Sequence, residues 1–313
     1  MKEISVFDLP ALYRDNYRAR GFVFGSGKKS VCVVGPMRGN EYQQQFIAAH
    51  LVSRLRQIEQ KGELVPGFEI LVIPCANTYS FNTRKRFWPI NNFDINRSFP
   101  GDVDGATTER FAGKIIQATK DFQYGIQLSS YYISGTFMPH IKIFKTELNC
   151  EQSAKDFKMP FAQVRNARAF EKTTLNYNWQ MNGVQAFSLY SSATSYIDKS
   201  SAHTVLRSIL LFLKARGIIT TDIPGGYKTK IINSQTDLMA LRSPSAGFFA
   251  PKVKVGFEVS AGDLLAEIRD PYTDELVSNI VSPKDGTIFY MQSDPLTYSH
   301  SSVFNLILSR NAT

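Results

Sequence analysis

Histidine and cysteine are scarce in this chain, at four and three among 313 residues. No histidine has a glutamate three positions after it, so a His-x-x-Glu zinc pair is missing. Cys32, Cys75 and Cys150 share no short spacing, which excludes a compact cysteine metal knuckle and leaves buried free thiols as the expectation. No run reaches the ~20 apolar residues of a membrane span. The opening MKEISVFDLPALYRDNY is broken by charges where a secretory leader is apolar, so a cytoplasmic protein is expected. Dense blocks of one charge are lacking too: the net +9 is dispersed, with RKR at 84–86 and KK at 28–29 the tightest groups. Without a basic-aromatic module, no nucleic-acid partner is expected, and the excess reads as a solvated surface or a field drawing small anions to a cleft.

What is present is core-forming sequence. Hydrophobic residues make up 43% of a chain long enough for one large domain and one small. Short apolar runs bounded by turn residues predict buried strands: SVCVV (30–34), FEILVIP (68–74), YGIQL (124–128), HIKIF (140–144) and VQAFSLY (184–190). Between them, Ile47, Leu51, Leu55 and Ile58 fall at helical spacing from Glu41 to Lys61, with Gly62 as a stop. Val205, Ile209 and Phe212 repeat the pattern from Ser201 to Arg216, before Gly217. This alternation predicts an α/β sandwich around a mixed or mostly parallel sheet. Later, glycine and proline recur every few residues and the runs become short and β-like. The expected division is residues 1–240 and a small all-β domain at 241–313.

Two loop-like segments hold the polar groups. VGPMRGNEYQ (34–43) follows a strand and leads into a helix, where α/β enzymes place their chemistry. NTYSFNTRKRFWPINNFDINRSFPG (77–101) carries Asp94, Asn96, Arg97, Phe99, Pro100 and Gly101 at fixed spacing. The second segment resembles the Asp-x-x-Asp-Leu-Asn-Arg-x-Phe-Pro-Gly region of the succinylglutamate desuccinylase and aspartoacylase family, a branch of the zinc carboxypeptidase-like fold. MPHIKI, VQAFSLYSSATSYID and SPSAGFFAPKVKVGFEVSAGDLLAEI resemble later family segments in the same order, so the likeness covers nearly the whole chain. It implies a carboxypeptidase-like sandwich with a central mixed sheet, plus a C-terminal β domain.

Members of that family hold catalytic zinc through His-x-x-Glu and the histidine of Asp-x-His, and a glutamate on a later strand serves as the base. Carried over residue by residue, the ligand positions are Arg38, Glu41 and Ser129, the base position is Tyr190, and Gln127 replaces the aspartate. Only Glu41 is retained. A permanent cation at 38 and a neutral hydroxyl at 129 are poor company for Zn²⁺, and Arg38 is instead suited to pair with Glu41. His50 and His203 fall in predicted helices and His300 in the β region. His140 is expected to be structural or pocket-lining, and a metal site rebuilt on Glu41, His140 and another carboxylate is the alternative. The resemblance assigns Arg86 to polarising the substrate carbonyl, and Asn96 and Arg97 to the substrate carboxylate, for which arginine's planar fork is apt.

Three readings follow. The first is a deacylase-family pseudoenzyme without zinc that uses Arg86, Asn96, Arg97 and Arg38 to bind a carboxylate-bearing N-acyl amino acid or peptide-like ligand, or that partners an active homologue or a second copy. The second is an active amide hydrolase, metal-free or with a rearranged zinc site, in which Tyr190 is an acid or relay and Arg38 and Arg86 stabilise an oxyanion. The third is a structural subunit of a heteromeric complex.

Overall fold

The computed structural model describes residues 1–13 and 15–309. The chain divides into two compact units, Met1–Ser130 with Pro139–Ile231, and Tyr131–Met138 with Ile232–Thr313.

The first unit is built on a nine-stranded sheet in the order Lys2–Leu9, Tyr17–Gly25, Gly67–Ile73, Gly27–Val34, Tyr124–Ser129, Gln185–Tyr190, His140–Phe144, Phe161–Arg165 and Lys230–Asn233. The four strands from Gly67–Ile73 to Gln185–Tyr190 are parallel, and antiparallel pairings flank them, so the sheet is mixed. Strand Gly27–Val34 shows why its sequence is continuously apolar. Val31 and Val33 join one buried cluster with Ile47, Leu51 and Leu55, whereas Cys32 and Val34 join a second with Phe111, Ile115 and Trp179. Both faces are covered by helices, so neither needs polar residues.

The helices lie close to their expected bounds. Tyr42–Gln60 begins after Glu41 and ends at Lys61, with Gly62 at φ 71° beyond it. Lys199–Ala215 starts two residues ahead of Ser201 because the Asp198 carboxylate caps it, accepting from the Ser200 and Ser201 amides. Four strands of this sheet were not foreseen, Lys2–Leu9, Tyr17–Gly25, Phe161–Arg165 and Lys230–Asn233. They are the two outermost strands at each end of the sheet, and in the edge strand Lys2–Leu9 Phe7 and Leu9 are buried but Asp8 is exposed, so no continuous apolar run marks it. Cys32 and Cys150 are buried as expected, whereas Cys75 lies beyond the end of its strand and is half-buried.

The second unit holds a sheet of Leu238–Arg242, Ser302–Leu308, Gly286–Met291 and Glu258–Val259, and another of Leu276–Val281, Leu264–Arg269, Gly247–Pro251 and Leu296–Thr297. The expected division at 240 differs from this one in two respects. The units part at Ile231/Ile232, and Thr136–Phe137 pairs with Gly286–Met291, placing Tyr131–Met138 with the later chain. The Tyr131 ring stacks on Phe137 at 3.9 Å. Such a long-range strand addition leaves no local signal in the sequence.

Glu171 ties the far strands of the large sheet together, bonded to Lys142 at 2.8 Å and Arg165 at 3.0 Å. Burial by itself would raise its carboxyl, but the Lys142 ammonium, the Arg168 amide and Arg165 outweigh burial and hold it below the usual carboxylate range. A depressed carboxyl contributes stability that is full above its unfolded value of ~4.3 and is lost as pH falls through the lower folded value. Urea unfolding between pH 7 and pH 3 is therefore expected to show a steeper acid loss in the wild type than in Glu171→Gln.

Candidate functional site

The parallel strands Gly27–Val34, Gly67–Ile73, Tyr124–Ser129 and Gln185–Tyr190 end on one side of the sheet, and the loops after them form the site. Two backbone bonds stitch the first loop down, Ala76 N–H to Pro36 O at 3.1 Å and Gly39 N–H to Lys85 O at 3.0 Å. A Cβ at Gly39 would stand 1.9 Å from the Ser80 carbonyl oxygen, so only glycine lets these backbones approach.

Beside Gly39, Arg38 is 4% exposed. Its Nη1 donates to Glu41 Oε1 at 2.9 Å, its Nη2 to Asp94 Oδ2 at 2.9 Å, and its Nε to Asp94 Oδ1 at 3.2 Å. The guanidinium thus spans two buried carboxylates, in the fork geometry that only arginine offers. Glu41 is further occupied: its Oε2 accepts from the Met37 and Arg38 amides at 3.0 and 3.1 Å, and its Oε1 from the Ser130 hydroxyl at 2.6 Å. Asp94 accepts from the Asn96 amide at 3.0 Å, and Arg97 Nε lies 4.0 Å from its Oδ2. Two carboxylates therefore face two guanidinium groups, and the cluster is formally neutral.

The other residues singled out in the sequence surround this cluster. Asn96 Oδ1 accepts from Gln127 Nε2 at 2.9 Å, which joins the loop to the strand carrying Ser129. Arg97 Nη1 donates to the Phe170 carbonyl at 2.8 Å, with the guanidinium 4.9 Å from the Phe170 ring centre. Arg86 Nη1 reaches Asn40 Oδ1 at 3.3 Å. Ser129 and Tyr190 are register partners on adjacent strands, and the Tyr190 ring stacks on the buried His140 imidazole at 4.9 Å and 5°. Arg38, Glu41, Asn96 and Arg97 are brought together through Asp94 and its loop, and Arg86 is held to the same loop system through Asn40.

Sequence reasoning missed Asp94 as the second counter-ion of Arg38, and Ser130 as a donor to Glu41. Asp94 had a signal, an acid two residues ahead of Asn96 in the fixed motif. Ser130 had none, since only the fold selects between adjacent serines. Gln44 was also missed: its amide donates to the Ser129 and Ala193 carbonyls at 3.1 and 3.3 Å, bridging two of the loops.

Cys75 reports on the same charges. Burial pushes its thiol up to about 12; the Asn77 amide opposes this and the Glu41 carboxylate reinforces it. At pH 8 only ~1 in 10⁴ such thiols is ionised. Native Cys75 is expected to react with iodoacetamide about three orders of magnitude more slowly than a free cysteine, as peptide mapping would show.

These residues do not fit a zinc ion. Arg38 is a fixed cation, Glu41 is saturated by four donors, and Ser129 is a neutral hydroxyl. Among the described residues, no three His, Cys, Asp or Glu side chains are grouped to hold a metal. No helix of the described residues is long and apolar enough to cross a membrane.

Residues 27–189 match the succinylglutamate desuccinylase/aspartoacylase catalytic domain. Over 80 residues the chain is 34% identical to the N-alpha-acetyl-L-2,4-diaminobutyric acid deacetylase of Halomonas elongata, a match spanning 26% of this chain and only 22% of that enzyme. Among solved structures, a succinylglutamate desuccinylase/aspartoacylase from Rhodobacter sphaeroides superposes with a TM-score of 0.79 at 18% identity, covering 98% of this chain and 96% of its own. The product-bound ectoine utilization protein EutE (DoeB) from Ruegeria pomeroyi gives 0.77 at 18% identity, covering 96% and 93%. An aspartoacylase family protein from Mesorhizobium loti gives 0.75 at 20% identity, covering 98% and 94%. At these identities the structural likeness establishes the fold: a mixed α/β sandwich followed by a β domain.

Proposed function

This chain belongs to the succinylglutamate desuccinylase/aspartoacylase family of deacylases, and from the place of Arg38 within its site we propose a member that recognises a carboxylate-bearing N-acyl amino acid or peptide-like ligand without zinc-dependent hydrolysis. The observation that carries this reading is the Arg38 guanidinium bonded at 2.9 Å to both Glu41 and Asp94. It supplies a fixed positive charge where the family's chemistry calls for a Lewis acid, and a guanidinium has no vacant orbital through which to coordinate and ionise water. Arg86, Asn96 and Arg97 stand at the family's substrate-holding positions. Their retention supports recognition of the ligand's carboxylate, either by this chain alone or together with an active homologue or a second copy.

One contact favours a metal-free hydrolase instead, the Ser130 hydroxyl bonded to Glu41 at 2.6 Å. A serine next to a carboxylate is a start toward nucleophilic catalysis. Glu41, however, is already committed to the Arg38 guanidinium and to the Met37 and Arg38 amides.

The test is zinc analysis of untagged protein after zinc loading and dialysis, combined with hydrolysis and calorimetric assays on a panel of N-acetyl amino acids. The expected result is negligible zinc, no chelator-sensitive hydrolysis, and saturable binding that Arg97→Met weakens by about 10-fold, the worth of one charge-assisted hydrogen bond. Stoichiometric zinc with chelator-sensitive turnover would overturn the proposal. Hydrolysis indifferent to chelators but abolished by Ser130→Ala would establish the metal-free alternative.

A further inference from the structure

Strand Leu276–Val281 ends one sheet of the second unit. It pairs with Leu264–Arg269 on one side, and among the described residues no strand pairs with its other side. Its sequence, LVSNIV, has neither a charge nor a proline, the usual devices that blunt such an edge. Ile280 turns inward and is 5% exposed, while Leu276, Val277 and Val281 are 52%, 48% and 50% exposed. An apolar strand with an open backbone ladder is a template for another strand.

The backbone shows which groups are open. Ser282 donates its N–H to the Asp263 carbonyl at 2.9 Å and accepts from the Gly262 N–H at 2.8 Å, so its polar groups point toward the strand already paired. Backbone direction alternates along a strand, and the N–H and C=O of Val281 and Asn279 therefore point to the open side.

These features select a second copy of the same strand. A two-fold axis perpendicular to the sheet sets the two strands antiparallel with their outer faces on one side. With Asn279 on that axis, Asn279 meets Asn279, Val281 meets Val277, and the exposed Asp274 and Glu275 at one end meet the exposed Lys284 at the other. A slip of one residue turns these backbone groups away from each other. A slip of two sets Val281 against the Glu275 carboxylate in one direction, and in the other sets Val277 against Pro283, which has no N–H to give. The register centred on Asn279 pairs apolar with apolar and acid with base. The register shift between Ile268 and Arg269 disturbs the strand at Val277 and bounds the new pairing there.

We propose that this chain self-associates through the second unit, two copies joining edge to edge along Leu276–Val281 about an axis at Asn279. The two-fold axis uses up this edge in both copies, so the product is a closed dimer and not a fibre. The pairing is short, and a dissociation constant on the order of 10 µM is expected, at the weak end for specific interfaces. The proposal does not rest on the reading of Arg38.

The experiment is sedimentation equilibrium of the full-length chain from about 1 to 200 µM, a range that brackets this constant. Monomer at the low end and dimer at the high end are expected. Val281→Lys, a change at an exposed position, should keep the fold and raise the dissociation constant at least about 10-fold, whereas Leu296→Lys on the opposite edge of the same sheet should not. Asn279→Cys is expected to give a disulfide-linked dimer under mild oxidation, because facing residues of a hydrogen-bonded pair have Cα atoms ~5.5 Å apart. Val281→Cys should give none, since in this register the two copies of position 281 lie about 14 Å apart along the strands. A monomer across the whole range, association that Leu296→Lys abolishes and Val281→Lys does not, or a dimer crosslinked at 281 and not at 279 would overturn the assignment.

Discussion

Replacing Arg38 by methionine is expected to cost about 3–5 kcal/mol of folding stability, read as a lower urea midpoint at pH 7. The cost arises from what the change leaves behind. Glu41 and Asp94 are 2% and 9% exposed in their side chains, and both rely on the same guanidinium. Asp94 keeps Arg97 at 4.0 Å, so the uncompensated charge falls mainly on Glu41. Adding Glu41→Gln to Arg38→Met is accordingly expected to recover about 1–3 kcal/mol, a coupling that a double-mutant cycle isolates. Arg38→Lys should lie between, at about 1.5–3 kcal/mol, because an ammonium group is a point donor that cannot hold both carboxylates in a planar fork. A loss below about 0.5 kcal/mol for Arg38→Met, the range of an ordinary surface change, would show that the ion-pair cluster does not hold these loops.

A change of opposite sense is expected from restoring the family's ligand set. The variant Arg38→His, Ser129→His, Tyr190→Glu keeps the native Glu41 and places two imidazoles beside it, which is a His₂Glu donor set with an open position. Removing Arg38 removes the cation that repels the metal and frees Glu41 Oε1 from its 2.9 Å bond. Ser129 and Tyr190 are partners in register, so the new ligand and the new base enter side by side. The expected outcome is about one zinc per chain surviving dialysis, where the wild type retains essentially none, together with chelator-sensitive hydrolysis of N-acetyl amino acids. A folded triple variant that takes up no zinc would show that 38, 41 and 129 are not the family's ligand positions in this chain.

Much of the large unit was legible because its strands are covered on both faces. A run such as SVCVV then needs no polar residues, and its neighbours Val33 and Val34 sort into opposite clusters merely by alternating. The outer strands Lys2–Leu9 and Tyr17–Gly25, at one end of the sheet, were not legible for the converse reason. One flank of each is wet or weakly covered, charges interrupt the pattern, and pairing with the next strand is what defines them. The site shows the same division. Arg38 and Glu41 are three residues apart, and their pairing follows from the loop alone. Asp94 joins them from 56 residues away and Ser130 from 89 residues beyond Glu41, distances that only the ordering of parallel strands removes.

The sequence by itself determined the family, the alternation of strand and helix, and the residue types of the candidate site: Arg38, Glu41, Ser129 and Tyr190. Residue types and local spacing carry that information, because side-chain chemistry and helical or strand periodicity are properties of the chain before it folds. The tertiary structure decided which carboxylates the arginine neutralises, that Glu41 is saturated, and that Thr136–Phe137 adds to a later strand. Each of these depends on which buried polar atoms find partners. That is settled only when distant segments are packed together and water is excluded from between them.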